Sequence, residues 1–424
     1  MGESRGTQII RLELNMQYWR LALLNTRRNT RRSVLAISLM AVGTAALIIN
    51  SGIITFIFGG LRDDAIYGRF GHLQLYQQGY LENYRRDPFA YLVPMDEYVT
   101  LSSLAKSVPQ VVSVTAELSV PIMIYTSGRA SAANAMGEES GVNLRTIRIV
   151  QGKSTLSDDT GIPTVLVGRG LAEKLQVNLG DVMTLIARGA NQSSNAIDVL
   201  VGGIFEEGFR DYDDWSLKAP LEVTQYLVGV KGVEKVLVFL NNAAATDKAR
   251  QNIARLANSK GFLIDSATWY ELAIFYRQVI AMFGKELRVI MIIVEAVAWF
   301  GIVAILWMIF TERQREMAAL LCMGMSRVQL SILFVQEGGW LGLAGAVAGV
   351  VSGLLIAKAT SVIGIPMPPP PGSTGDFVAQ VALSPAKVLI PASLTFLTAL
   401  AASIVPSIWI WRLDIARNLR PAEG

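Results

Sequence analysis

One histidine and one cysteine in 424 residues remove most of the side chains from which common catalytic and metal-binding sites are built. His72 alone supplies neither a histidine-based triad nor a multi-histidine metal site and reads as a strand-edge residue. Cys322 alone excludes a disulfide framework, so any folded domain must stand on packing. Charge is scarce as well: Asp, Glu, Lys and Arg make up 17% of residues against 52% hydrophobic, with a mean hydropathy of +0.40. That balance excludes an ordinary soluble protein. The net charge of +4 comes without a basic tract interleaved with aromatics, so no nucleic-acid partner is expected. Nucleotide cradles are missing too. "QGKST" at 151–155 ends like a P-loop but has Ile147 where the first glycine belongs, and "GRG" at 168–170 lacks a third glycine in register. The acid pairs Asp158 with Asp159, Glu206 with Glu207 and Asp213 with Asp214 lie in loop-like sequence and are expected to be solvated. No catalytic residue, no metal site and no cofactor on this chain are expected.

What the chain does have is long apolar runs. Ser33 to Leu61 and Val388 to Trp411 contain no charged residue; Val289 to Phe310 is broken only by Glu295, and Val328 to Ala357 only by Glu337 beside Gln336. Each is long enough to cross about 30 Å of hydrocarbon at roughly 1.5 Å per residue. The first run exceeds the roughly 7 to 15 residues of a signal-peptide core, so it reads as a retained anchor. Arginines set the orientation: Arg27, Arg28, Arg31 and Arg32 precede span one, Arg313, Arg315 and Arg327 lie between spans two and three, and Arg412, Arg417 and Arg420 follow span four. By the positive-inside rule these three regions, with both termini, face the cytoplasm.

The expected fold class is therefore an α-helical membrane protein with four transmembrane helices and a large α+β extracytoplasmic domain between helices 1 and 2. Its segments are a cytoplasmic N-terminal piece (1–32), span one (33–61), the outer domain with a stalk helix (62–286), span two (287–311), an inner segment (312–327), span three (328–357), a proline-rich outer loop (358–387), span four (388–411) and an inner tail (412–424). Ile9, Leu12, Met16 and Trp19 form one stripe of an amphipathic helix suited to the membrane interface. The outer domain, roughly 225 residues, is ample for its own core. Strands are expected at 72–77, 182–187, 196–205 and 235–240, and the last begins a βαβ signal continuing through 246–257 to 262–265. From Thr268 to Glu286 the pattern turns helical and runs into span two, as a rigid stalk. Four consecutive prolines, Pro368 to Pro371, stiffen the outer loop.

The inner segment "TERQREMAALLCMGMSR" (311–327) is an island of five charges between lipid-like runs. Met317, Leu320, Leu321 and Gly324 share one helical stripe, while Glu312, Arg313, Arg315 and Glu316 gather at the start. Gly324 is a natural helix stop, and Ser326 with Gln329 makes a capping box that opens span three. A helix this short is marginal alone, so its apolar stripe needs a partner surface, either lipid headgroups or another protein.

This stretch and its continuation to Leu355 resemble the signature region of the MacB, lipoprotein-release (LolC/LolE-like) and FtsX-like class of ABC transporter permeases. Glu312, Arg313, Arg315, Glu316, Met317, Leu320, Gly324, Ser326, Arg327 and Glu337 match its pattern, while Cys322 and Met323 replace small residues. "LALLNTRRNTRRSVLAISLMAVGTAALI" resembles the family's entry into span one, and "VLVGRGLAEKLQVNLGDVMTL" (165–185) a recurring element of its outer domains. The resemblance implies that Glu312, Arg313, Arg315, Glu316, Met317, Leu320, Leu321, Gly324 and Arg327 form or flank a coupling helix that docks on a separate ATPase subunit. ATP and magnesium would sit in that partner.

The class transmits motion across the membrane, which suits the glycine steps Gly338, Gly342, Gly345, Gly349 and Gly353 as a close-packing face. The intramembrane acids Glu295 and Glu337 should face the bundle, Glu337 in a structural or coupling role and Glu295 protonated or paired with a polar group. The implied protein is an inner-membrane permease subunit, paired with a second copy or a paralogue, that extracts or releases a lipoprotein or other hydrophobic cargo. The alternatives are a MacB-like efflux permease with a periplasmic adaptor and outer-membrane channel, an FtsX-like regulator of an extracellular hydrolase, disfavoured by the size of the outer domain, and a receptor with no ATPase.

Overall fold

The computed structural model of the chain describes residues 22, 24, 30–139, 147–154, 161–207, 210–367 and 377–414. The interfacial helix expected at the N-terminus (apart from residues 22 and 24), Asp158 and Asp159, Pro368 to Pro371, Arg417 and Arg420 lie outside the described residues. The chain forms two compact units: one gathers the segments ending at Phe58, running Ala281–Pro366 and starting at Val378, and the other is built on Gly59–Ile280.

The helical unit is built from α1 (Thr30–Asp63), α2 (Ile274–Glu312), the short α3 (Gln314–Cys322), α4 (Arg327–Ile363) and α5 (Pro385–Trp409). All but α3 are long and apolar enough to cross a membrane. Each helix runs past its apolar window: α2 begins before the outer-domain sequence has ended, α4 continues beyond Ala357, and α1 passes directly into a π-helical turn, Asp64–Phe70. Hydropathy marks where lipid is tolerated, whereas a helix ends only where its backbone is capped or broken. Among the buried side chains, Ala36, Met40, Ile302, Leu306, Leu333, Phe334 and Ala399 share one apolar cluster.

The glycine stripe explains how these helices approach so closely. A Cβ on Gly338 would lie 2.5 Å from the Ser403 Cβ, and one on Gly342 2.6 Å from the Ala399 Cβ, both on α5. Further along α4, a Cβ on Gly345 would meet the Met40 Cβ at 2.6 Å, and one on Gly349 the Thr44 Cβ at 2.4 Å, both on α1. One row of missing side chains therefore seats two different helices, the dispersion-driven packing available where lipid offers no hydrophobic gain.

Among the described residues, the sheet unit holds ten strands in one sheet: β1 (Leu73–Gln77), β2 (Val111–Thr126), β3 (Arg129–Glu138), β4 (Arg148–Gly152), β5 (Thr164–Gly168), β6 (Val182–Arg188), β7 (Ser194–Glu206), β8 (Ser216–Pro220), β9 (Lys235–Leu240) and β10 (Ile264–Thr268). Their order is β10-β1-β9-β2-β3-β8-β5-β7-β4, with β6 bridging β2 and β7. One edge of β2 takes β9 along Val111 to Glu117 and then β6 along Met123 to Tyr125. The path β2-β3-β8-β5-β7-β6 thereby closes on itself, and closure removes free edges from those strands. Alternation along β2 follows the pleat: Val120, Ile122 and Ile124 point into the core, while Pro121, Met123 and Tyr125 stay in contact with solvent.

The βαβ signal is present in a split form. β9, the helix Thr246–Ser259 and β10 follow in sequence, but β1 lies antiparallel between the two strands. The helix covers the sheet through Ala249, Ile253 and Ala257, three positions one turn apart along a single stripe. Thr268 and Glu271 then form a capping box that starts a short helix, Trp269–Leu272, just before α2.

Candidate functional site

The charged island folds as the sequence signals suggest. α2 ends at Glu312, Arg313 forms the junction, and Met317 N donates to the Arg313 carbonyl at 2.9 Å as α3 begins. At its other end Met325 N reaches back to the Leu320 carbonyl at 3.1 Å around Gly324, whose φ of +98° is the left-handed stop that favours glycine. Ser326 and Gln329 exchange hydrogen bonds of 2.9 and 3.3 Å and open α4. A tight turn at the end of α3 and the cap that opens α4 thus fix the far end of the short helix.

Ion pairs pin it at both sides. The Arg313 guanidinium donates to Glu337 Oε2 at 2.7 Å and to Glu316 Oε2 at 3.0 Å. A charged carboxylate on a membrane helix costs about 2.5–3.5 kcal/mol near the centre of the bilayer, so a buried guanidinium partner accounts for the acid in α4. Arg32, near the start of α1, pairs with Glu312. Arg327 donates to the carbonyls of Ile410, Trp411 and Leu413, placing a cation on the unsatisfied end of α5. The other intramembrane acid, Glu295, accepts a hydrogen bond of 3.1 Å from the Thr398 hydroxyl of α5.

The surface of α3 differs from the stripe expected. Met317 and Ala318 are 2% and 0% exposed and join the apolar cluster of the helical unit, with Leu320 and Leu321 half-buried against it. Met317 and Arg313 were expected among the contact residues; the first instead faces inward as apolar filling, and the second is held by Glu337. What α3 and its turn present outward are Arg315, Glu316, Cys322 and Met323, the last 75% exposed, with Glu312 and Gly324 beside them. Met323 and Cys322 were missed as surface groups because a helical stripe shows which residues are apolar, and not which of them a neighbour has already covered.

In the sheet unit three of the acids expected to be solvated, Glu206, Glu207 and Asp213, are buried, while the Asp214 side chain stays 33% exposed beside Lys174 at 3.0 Å. Lys218 Nζ sits 2.8 Å from Glu138 and 3.1 Å from Glu207, all three nearly inaccessible, and Asp213 accepts from the Glu207 backbone N–H at 2.8 Å. Glu206 is 4% exposed, near Arg169 at 3.7 Å. Burial pushes the Glu207 carboxyl up to about 7 even though Lys218 opposes the shift. His72 is also buried; its Nδ1 accepts from the Leu240 N–H at 3.1 Å, and burial, aided by Arg62, lowers it to about 4. It is a neutral structural residue that ties β1 to the end of β9.

Among the described residues, four long apolar helices with a sheet domain inserted in the sequence between the first and second define the plan of a multi-pass membrane protein. Residues 33–256 match the MacB-like periplasmic core domain, and residues 288–415 match the FtsX-like permease C-terminal family. The first match covers more than half of the chain, and the chain belongs to this family, the ABC transporter permeases of the MacB, LolC and FtsX class, whose members work with an ABC ATPase. It is 24% identical over 253 residues to the lipoprotein-releasing system transmembrane protein LolC of Neisseria meningitidis serogroup B, covering 55% of this chain and 60% of that protein. To the LolC of Xylella fastidiosa it is 26% identical over 198 residues, covering 45% of this chain and 47% of that one. The alignments thus span about half of these relatives' length. Among solved structures, the periplasmic region of MacB from Actinobacillus actinomycetemcomitans aligns with a TM-score of 0.37 at 15% identity, covering 51% of this chain and 95% of that one. The extracellular domain of the Gram-positive transporter YknZ aligns at 0.34 and 16%, covering 46% and 99%.

Proposed function

We propose that this chain is the membrane-spanning subunit of an ABC transporter that binds a separate ATPase through α3 and passes the motion of the ATP cycle to its sheet unit, so that a lipoprotein or other hydrophobic cargo leaves the inner membrane. The observation that carries the reading is α3 itself. It is a short helix closed at its C-terminal end by the Gly324 turn, anchored from beneath by Met317 and Ala318 and from the side by Arg313 and Glu337, with a mixed charged and apolar face left open. A helix built to receive force must be stiffly joined to the long helices, and both of its ends are. Orientation follows the arginines, with α3 and both termini in the cytoplasm, while ATP and magnesium belong to the partner. A second copy or a paralogue completes the assembly. The LolC relatives favour lipid-anchored cargo. The match to a MacB-like periplasmic core favours, as a second reading, an efflux pump working with an adaptor and an outer-membrane channel.

Co-expression tests both parts. An ATPase encoded beside this chain should co-purify with it, and Cys322, the single cysteine, should react with a membrane-impermeant maleimide in inverted vesicles and not in spheroplasts. Labelling of Cys322 in spheroplasts rejects the orientation and the docking together. Depletion of the chain should then leave lipoproteins in the inner membrane if the first reading holds; sensitisation to exported toxic compounds with normal lipoprotein sorting supports the second.

A further inference from the structure

The sheet unit contains a cavity of about 450 Å³ that has no part in holding an ATPase, and its lining is of two kinds. Leu61, Phe70, Ile274 and Phe275 give it an apolar wall, and Leu61 and Ile274 belong to the last turn of α1 and the first residue of α2, the two helices that leave and rejoin the membrane-spanning region. The polar part is Glu207, Tyr212, Arg69 and Asp64.

Two of those groups have binding capacity to spare. The Glu207 side chain is 5% exposed, and the ammonium that faces its Oε1, Lys218 Nζ at 3.1 Å, is shared with Glu138 at 2.8 Å. A buried carboxylate offers about four acceptor sites and a shared lysine fills few of them, so a ligand N–H that reached Glu207 would add a charge-assisted hydrogen bond. Arg69 lies over the rings of Phe70 and Tyr212 at 5.2 and 5.4 Å and has no carboxylate partner among the described residues. A guanidinium in that state is a ready anion site, best matched to a phosphate. Acceptor, cation and apolar wall thus occur in one cavity whose volume falls within the roughly 300–1,000 Å³ of small-molecule sites.

We infer that this cavity binds the headgroup of one ethanolamine phospholipid, with the ammonium donating to Glu207, the phosphate on Arg69, and the first part of the acyl chains on Leu61, Phe70, Ile274 and Phe275. The chemistry selects the head. A choline head carries no N–H for Glu207, and a glycerol head brings no cation to a buried acid. The volume admits the head and the start of the chains, so the remainder of the lipid stays outside.

The test uses the full chain alone, with neither ATPase nor cargo, so its outcome is independent of the transport reading. The protein is reconstituted in nanodiscs of equal parts phosphatidylethanolamine, phosphatidylcholine and phosphatidylglycerol, re-extracted, and its retained lipid read by native mass spectrometry. Retained phosphatidylethanolamine should exceed each of the others by about tenfold, the scale of one charge-assisted hydrogen bond. Glu207→Gln should level ethanolamine with choline. Because that change also disturbs Lys218, two milder variants accompany it: Arg69→Gln, at an exposed residue, and Ala65→Phe, which fills the cavity. Each should lower retained phosphatidylethanolamine by about tenfold at an unchanged melting temperature. Equal retention of the three lipids, or full retention by both Arg69→Gln and Ala65→Phe, overturns the assignment. Soluble phosphoethanolamine is the control for the source: if it displaces the lipid completely at equal concentration, the site is one for a free headgroup, and the lipid assignment fails.

Discussion

Arg313 and Glu337 meet at 2.7 Å, joining the residue that follows α2 to an acid inside α4, with only 12% and 8% of their side chains exposed. The pair sits under the start of α3, so both helices that flank α3 are tied to one bond. Removing one member of a buried pair leaves an uncompensated charge and costs about 3–5 kcal/mol. Arg313→Gln is therefore expected to lower the melting temperature of the detergent-solubilised chain sharply, and Glu337→Gln to do the same. The double replacement Arg313→Met with Glu337→Leu should cost less than either single change, since no charge is then stranded. Additive losses in the double variant would show that the pair does not act as a unit.

Two buried groups in the sheet unit should give stability an opposed dependence on pH. The Glu207 carboxyl rises from 4.5 to about 7 on folding, so its contribution is full below pH 4.5 and is lost as pH climbs through 7. His72 falls from 6.5 to about 4, so its contribution is full above pH 6.5 and is lost as pH drops toward 4. Between pH 4.5 and 6.5 the two trends offset each other. Denaturant titrations of the full chain should therefore show a shallow slope for the native sequence. In Glu207→Gln, stability should fall as the medium is acidified; in His72→Gln it should rise. Matching slopes in all three proteins would contradict the burial argument.

The features readable in the sequence are the ones whose cause is local. Four apolar runs are spans by length alone, Gly324 stops α3 because of its backbone freedom, and Ser326 with Gln329 caps α4 across three residues. The glycine spacing on α4 announced a packing face, but not that Gly342 serves α5 while Gly349 serves α1, since periodicity names a face without naming its neighbour. The sheet hid more. β3 pairs in parallel with β8, and β5 with β7, through residues far apart in the chain, and no local pattern sets those registers. The same distance disguised Glu207 and Asp213: beside polar neighbours they read as solvated acids, because the lysine and the strands that bury them arrive from elsewhere. β1 entered between β9 and β10 for a similar reason, as its β-rich composition fits any edge it can reach.

The glycines on α4 can be ranked by what an added methyl group would meet. Gly342→Ala and Gly345→Ala would press on a Cβ only 2.6 Å away and should destabilise the helical unit by about 1–3 kcal/mol through overpacking. Gly284 in α2 has no atom within 4 Å of its Cβ position, so Gly284→Ala is expected to stabilise that helix by about 0.5–1 kcal/mol. Thermal unfolding of the three variants under one set of conditions should separate them in sign. A neutral Gly345→Ala would mean that α1 and α4 are not held at this distance.

Two methionines of α3 and its turn, six residues apart, should divide stability from docking. Met317 is 2% exposed within the helical core, and Met323 is 75% exposed at the turn. Met317→Glu buries a charge with no partner and should destabilise the protein by several kcal/mol, so that any loss of a bound ATPase would follow from misfolding. Met323→Glu changes a side chain that is mostly in solvent, so the melting temperature should hold within the spread of surface changes, about 0.5 kcal/mol. If the outward face of α3 receives the ATPase, Met323→Glu and Arg315→Glu should still abolish co-purification, because each reverses the character of a surface the chain itself does not need. Retention of the ATPase by both variants at normal stability would move the docking site away from α3, and with it the route by which nucleotide-driven motion could enter α2 and α4.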